Sequence, residues 1–335
     1  MVVWAFFGLL AAIAVLEEII VPDAIRSWLI AGVHASSATS ELRLGRVQLS
    51  LFPPALTLLR IQLLSGDPRS TFVHAQADRV VVPFAIRPLF SRQIRLGRIQ
   101  IERPEVNVIE GDVRMSGSKT THGGSGGIDL EVQGADVAQG FFSYTRAHLQ
   151  KRAVVRVSRI TAVIGPVGSS NRVSHRPAVG RATGLLEDSG TFVLSAGADF
   201  FAETPHVNVA LELTSLNLAD LNRFFMPDDD VQLGGRLIHG RSAVSIRGRR
   251  LTASVYARFR GLDIKIRKNA DRSALSAFFQ NTLVSLKMGK QNVASDQFDR
   301  RGTVTLTRKP RQTVLSFILT GMRDASFKVA SKGGR

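Results

Sequence analysis

Apolar and polar residues alternate with a period of two along most of this chain. Leu42 and Leu44 flank Arg43; after Gly45-Arg46 the phase slips, and Val47, Leu49 and Leu51 alternate with Gln48 and Ser50. The phrase RLGRVQL (43–49) returns as RLGRIQI (95–101), with the same slip at Gly97-Arg98 before Ile99 and Ile101. A period of two places every second side chain on one face of a strand. A glycine at a phase slip marks a bulge or bend. Each copy therefore predicts a strand kinked at its glycine. Further alternating runs lie at 106–108, 128–132, 154–164, 207–213, 251–259, 262–266, 303–306 and 313–317. Their regular spacing, with turns between, predicts a continuous antiparallel sheet or meander. Helices do not alternate with the strands, so a parallel α/β sheet is not expected.

Two internal stretches carry a helical period. LADLNRFF (218–225) is short; 270–286 puts Leu275, Phe278, Phe279, Thr282, Leu283 and Leu286 on one stripe behind Asp271 as a starting cap. The second predicts a lid or plug against the sheet. SGSKTTHGGSGG (116–127) reads as a flexible polar loop. It sets the expected organisation: 1–33 a membrane-anchor helix with a short juxtamembrane helix, 34–115 a first β segment, 128–330 a second.

The N-terminal run Val2–Leu16 has fifteen residues and no charge, among them Trp4, Phe6, Phe7, Leu9, Leu10, Ile13 and Leu16. As a helix it covers only about 22 Å, where a spanning helix needs about 20 apolar residues. Three readings stay open: an uncleaved anchor, a signal peptide cleaved near Ala12-Ile13-Ala14, and a buried core helix. We take the first. Residues 23–33 continue as a short helix, with Trp28 at the interface.

Composition narrows the class. The chain has 335 residues, 44% hydrophobic and 21% charged, enough to bury a core. Its formal net charge is +17, with nine Lys and thirty-five Arg among the 44 basic residues. Such a charge attracts polyanions: nucleic acid, anionic lipid headgroups or acidic polysaccharide. Nucleic acid is the weakest of these. Tyr and Trp number only two each, and Arg alternates with apolar residues, as in VVRVSRI, like the wet face of a one-sided sheet. The absence of Cys excludes disulfides and Cys nucleophiles.

Catalytic and metal patterns are missing. The seven His are scattered without helical metal spacing. Asp228-Asp229-Asp230 lacks the alternation and distal Glu of a calcium loop and reads as a solvated turn. Ser116-Gly117-Ser118-Lys119 matches a bare Ser-x-x-Lys but lacks its partner motifs. No P-loop, dinucleotide fingerprint or nucleophile elbow occurs. We expect no catalysis, no metal and no cofactor.

The order of the motifs resembles a known family. A hydrophobic anchor precedes a strand with Leu-Gly-Arg, FPP at 52–54 and ALTLLRIQL; then follows ADRVVVPFAIRPLFSRQIRLGRIQIERPEVNVIEG at 77–111. This resembles the N-terminal signature of the AsmA-like proteins of bacterial envelopes. GADVAQGFFSYT (134–145) is similar to the strand pair, and LTSLNLADLNRFF (213–225) to the Leu-x-Leu-x-x-Leu-Asn segment, of a branch catalogued as a domain of unknown function. ILTGMRDASFKV (318–329) resembles its final strand and amphipathic end. The Gly/Ser loop at 116–127 departs from the pattern.

The resemblance implies a mainly β fold, in which a long curved antiparallel sheet forms an open apolar groove behind an N-terminal hydrophobic helix. The repeated phrase would mark strands stacked side by side, each bent in the same sense. It further implies a single-pass protein of the bacterial inner membrane with its bulk in the periplasm. Such a protein binds or conducts phospholipid or another envelope lipid and supports outer-membrane lipid homeostasis. The groove floor would comprise Val47, Leu49, Ile99, Ile101, Val106, Val108, Val207, Val209, Leu211, Val255 and Phe259. Each of these alternatively belongs to a closed sandwich core. The rival function is a non-catalytic assembly or scaffolding factor that holds envelope proteins through a sheet edge or its basic surface.

Overall fold

A computed structural model describes residues 21–36, 39–66, 71–85, 93–110, 129–148, 151–168, 178–199, 206–229, 231–266 and 300–308, with helical positions between 317 and 325. The run at 1–20, the loop at 116–127 and the stretch 270–286 lie outside the described residues. The elements are α1 (Val21–Ser36), β1 (Ser40–Leu51), β2 (Pro54–Gly66), β3 (Thr71–Pro83), β4 (Gln93–Glu102), β5 (Glu105–Glu110), β6 (Asp129–His148), β7 (Lys151–Ile164) and β8 (Val167–Gly168). Then follow β9 (Ala178–Leu186), β10 (Gly190–Asp199), β11 (His206–Asn217), a 3₁₀ turn (Leu218–Leu221), α2 (Asn222–Asp229), β12 (Val231–Arg247), β13 (Arg250–Ile266) and β14 (Arg300–Thr307). The protein is mainly β, with a large sheet.

The chain forms two compact units, one of residues 1–115, 119–142 and 163–174, the other of 116–118, 143–162 and 175–335. In the first, the strand order is β1-β2-β3-β4-β6; β5 pairs with β3 and β6, and β8 with β6. In the second, β7-β9-β10-β11-β12-β13-β14 follow the end of β6.

The predicted slip is visible in the first copy of the phrase. Leu44 and Val47 are buried, while Gly45 and Arg46 between them are exposed. Opposite Gly45, Arg60 takes a left-handed φ of 52°, and neither residue belongs to the β1–β2 ladder, which resumes at Arg46↔Leu59. A local twist in both strands thus changes the phase without changing the register. In the second copy the device differs. Between the pairs Val81↔Gln100 and Phe84↔Leu96, β4 has three residues where β3 has two. Gly97 sits in this bulge, where a Cβ would lie 2.9 Å from that of Pro83.

Two sequence expectations are corrected here. The sheet is not antiparallel throughout, because β4 and β6 run parallel from Gln93↔Asp129 to Glu102↔Ala138. The phrases do not lie side by side either, since β2 and β3 separate β1 from β4. Exposed ion pairs flank the backbone ladder of this parallel pair and add little to it: Arg95 reaches Glu131 at 3.2 Å and Arg98 reaches Asp136 at 2.9 Å. Glu102-Arg103-Pro104 is a jog that lets β4 and β5 pair with successive halves of β3. Arg103 adopts φ 48° and pairs with Asp78 at 2.7 Å, while Pro104 accepts from the Phe141 N–H.

The second unit buries its own core. The Val207 row runs Ala198–Val207–Ile246–Leu251–Leu306, and the Val209 row runs Ala196–Val209–Val244–Ala253–Val304. Phe317, Ile318, Met322 and Ala325 pack on these rows. Where a final strand was expected, positions 317, 318, 320–322, 324 and 325 are helical. Gly321 permits the close approach: a Cβ there would sit 2.4 Å from Leu251 Cδ2. LADLNRFF does form the predicted helical corner, capped by Asn217, whose side chain accepts from the Ala219 N–H. Asp228 and Asp229 end α2 rather than standing in a turn. GADVAQGFFSYT is a single strand within β6, not a strand pair.

One carboxylate in the turn between β9 and β10 tunes stability with pH. Glu187 is buried, with its carboxylate accepting from the Arg156 N–H at 2.6 Å. Burial pushes its pKa up, against that hydrogen bond. A raised folded pKa means that protonation favours folding: the benefit is full below the unfolded pKa and is lost as pH rises through the folded one. Glu187→Gln should therefore match the parent at acid pH and melt higher than it at neutral pH. Paired thermal melts across that range check this; a variant less stable at neutral pH contradicts it.

Candidate functional site

The floor residues inferred from sequence fall into separate groups. In the first unit, Val47, Leu58, Val80, Ile101 and Val137 form one cross-strand row. Leu49, Leu56 and Val82 form the next, and Ile99 lies beside Ala135. Val106 continues the row Leu42–Leu63–Ala75, and Val108 the row Ser40–Ser65–Val73. Apart from Val47 (5% exposed), the inferred floor residues of this unit are only half-buried. Their strands expose polar side chains in alternation: Arg46, Gln48 and Gln100 are exposed, and Arg79 meets Glu102 at 3.2 Å.

In the second unit the inferred residues are covered differently. Val207, Val209 and Val255 pack on the cluster containing Phe317. Leu211 belongs to the row Leu194–Leu211–Ser242–Val255. Phe259, 5% exposed, pairs with Leu237, next to Leu216 and between the two register shifts of β12. The Val207 and Val209 rows of this unit, with Val255, are thus covered by the protein's own helical stretch.

The other face of the same strands holds a cavity of about 820 Å³. Ser195, Ala210, Ala243, Ser254 and Thr303 make one cross-strand row beneath it. Val193, Glu212, Arg241 and Tyr256 make the adjoining row. Glu212 is 2.8 Å from His239 Nε2 and 3.6 Å from Arg241. The hydrogen bond from His239 holds the Glu212 carboxyl below its usual range, with Arg241 adding to the effect. The His239 ring stands edge-on to Tyr256, with centroids 5.9 Å apart. Sequence reasoning missed this group. Its members lie on three strands, and only the register brings them together. Their one signal in the sequence is small residues at the polar positions of successive strands. Among the described residues no cluster of three or more metal-ligating side chains occurs. None of the described helices is long and apolar enough to cross a membrane.

Compared with protein-family models and with curated proteins, the chain matches none.

Proposed function

We propose that this is a membrane-anchored envelope protein of AsmA-like type that binds phospholipid, laying acyl chains along the apolar rows of its first unit. The observation that carries the reading is the row Val47–Leu58–Val80–Ile101–Val137, apolar on five strands, four of its members half-buried. The comparable rows of the second unit hold Leu251 and Ala253 at 0% exposure under the protein's own helical stretch. Incomplete cover leaves transfer energy to gain: each acyl CH₂ removed from water contributes about 0.8 kcal/mol. The exposed Arg and Gln alternating with these rows suit the wet rim where headgroups stay hydrated. The uncharged run 2–16 supports anchoring in the inner membrane, with the sheet in the periplasm. No bond is made or broken in this function. Sheet-edge scaffolding finds less support, because edge strand β1 carries exposed Arg43 and Arg46, charges that discourage strand addition.

The test uses the full chain in mild detergent with dansyl-undecanoic acid as the acyl probe. Saturable fluorescence enhancement, displaced by phosphatidylglycerol, is expected. Leu58→Asp and Val80→Asp place a charge on the row and should abolish it, with circular dichroism unchanged. No enhancement in the parent, or equal enhancement in both variants, overturns the reading.

A further inference from the structure

We propose that the polar face of the second unit is a binding site for an acidic saccharide. This inference is independent of lipid binding, which concerns the other unit. The floor is low and continuous. Ser195, Ala210, Ala243, Ser254 and Thr303 lie beside a second row, Gly197, Asn208, Ser245, Thr252 and Thr305. No side chain in either row exceeds Asn in size. A second hollow of about 440 Å³ shares Ser195, Ala210, Ala243 and Ser254 with the first, so the two form one trough. Five strands at their usual spacing make it about 19 Å long. The volume is that of a site for a ligand of several rings.

The lining defines the chemistry. Along one side stand Glu212, His239, Arg241 and Tyr256. Beyond the end of the first row, Arg181 pairs in register with Ser195, is exposed, and makes no ion pair among the described residues. Arg241 in the lining and Arg181 just outside it outnumber Glu212, the one carboxylate of the lining among the described residues, so this face favours an anion. An acyl chain would desolvate Glu212 and the hydroxyls with nothing in return. A bare phosphate would leave most of the trough empty and would face a carboxylate. A sugar uses every feature. Its hydroxyls donate to Glu212 and pair with Ser195, Asn208 and Ser254. Its C–H faces rest on the methyls of Ala210 and Ala243 and on the Tyr256 ring. Its acidic group meets Arg241 or Arg181 in charge-assisted hydrogen bonds. The acid is a carboxylate, as in a uronic-acid polymer, or a phosphate, as on a glycolipid headgroup.

Isothermal titration of the full chain in detergent tests this with four probes: tetragalacturonate, a glucosamine disaccharide 1-phosphate, neutral maltotetraose and inorganic phosphate. One of the two acidic saccharides should bind with one-to-one stoichiometry, and the one that does identifies the acid. Maltotetraose and inorganic phosphate should each bind at least about tenfold more weakly, the loss expected when charge-assisted or hydroxyl contacts are missing. At least one of Arg241→Ala and Arg181→Ala should weaken the acidic probe by about tenfold, and no loss in either overturns the proposal. Ala243→Leu, which fills the exposed floor without touching the core, should block it. Binding of neither acidic saccharide overturns the proposal. So does inorganic phosphate that binds as well as they do, or Ala243→Leu that leaves their affinity unchanged.

Discussion

Phe317→Ala is expected to destabilise the second unit by about 3–5 kcal/mol, the range for removing a large side chain from a packed core. Phe317 is 1% exposed and sits among Val244, Ile246, Leu251, Ala253 and Val304. The cavity it leaves lies under a stretch held close by Gly321, so neighbouring atoms have little freedom to collapse into it. Domains are stable by about 5–15 kcal/mol, so this one change removes a large share. Urea unfolding monitored by circular dichroism reads it as a shift in midpoint. Phe52→Ala is the control: Phe52 is 93% exposed and its removal should leave the midpoint in place. A Phe317→Ala shift as small as that of Phe52→Ala would mean that the helical stretch does not cover the sheet.

Gly134→Ala is the second large effect, at about 2–4 kcal/mol from backbone strain and overpacking. Gly134 has φ 142°, and a Cβ would lie 2.4 Å from the Ile164 carbonyl oxygen, a backbone atom that cannot swing aside. It pairs with Arg98, next to the glycine of the second RLG phrase. Gly45→Ala, in the first phrase, should cost clearly less. Its Cβ would stand 3.0 Å from Arg60 Cβ and the Leu59 carbonyl, and its own φ is not left-handed. Thermal unfolding of the two variants side by side checks the order. Equal losses would contradict it.

The strands and their kinks were legible because burial follows alternation, and a glycine where alternation fails leaves few options. Gly45 and Gly97 announced themselves in this way. Strand direction was not legible: β4 alternates identically whether its neighbour runs parallel or antiparallel, and nothing local to 93–102 names 129–138 as the partner. The C-terminal helix was legible in principle. Phe317, Gly321 and Ala325 are buried at a spacing of four, yet Thr313–Phe317 alternates well enough to suggest a strand. The trough was hidden for another reason. Ser, Ala and Thr at outward positions look like an ordinary wet face until the register stacks them into rows.

The measurement that bears most directly on lipid binding is native mass spectrometry of the full chain, taken from bacterial membranes in mild detergent, with extraction of the bound lipid. The account predicts phospholipid at defined stoichiometry, lost in Leu58→Asp and Val80→Asp and retained in Arg241→Ala. A lipid-free protein that stays empty when offered phospholipid, or variants that carry as much lipid as the parent, would contradict it.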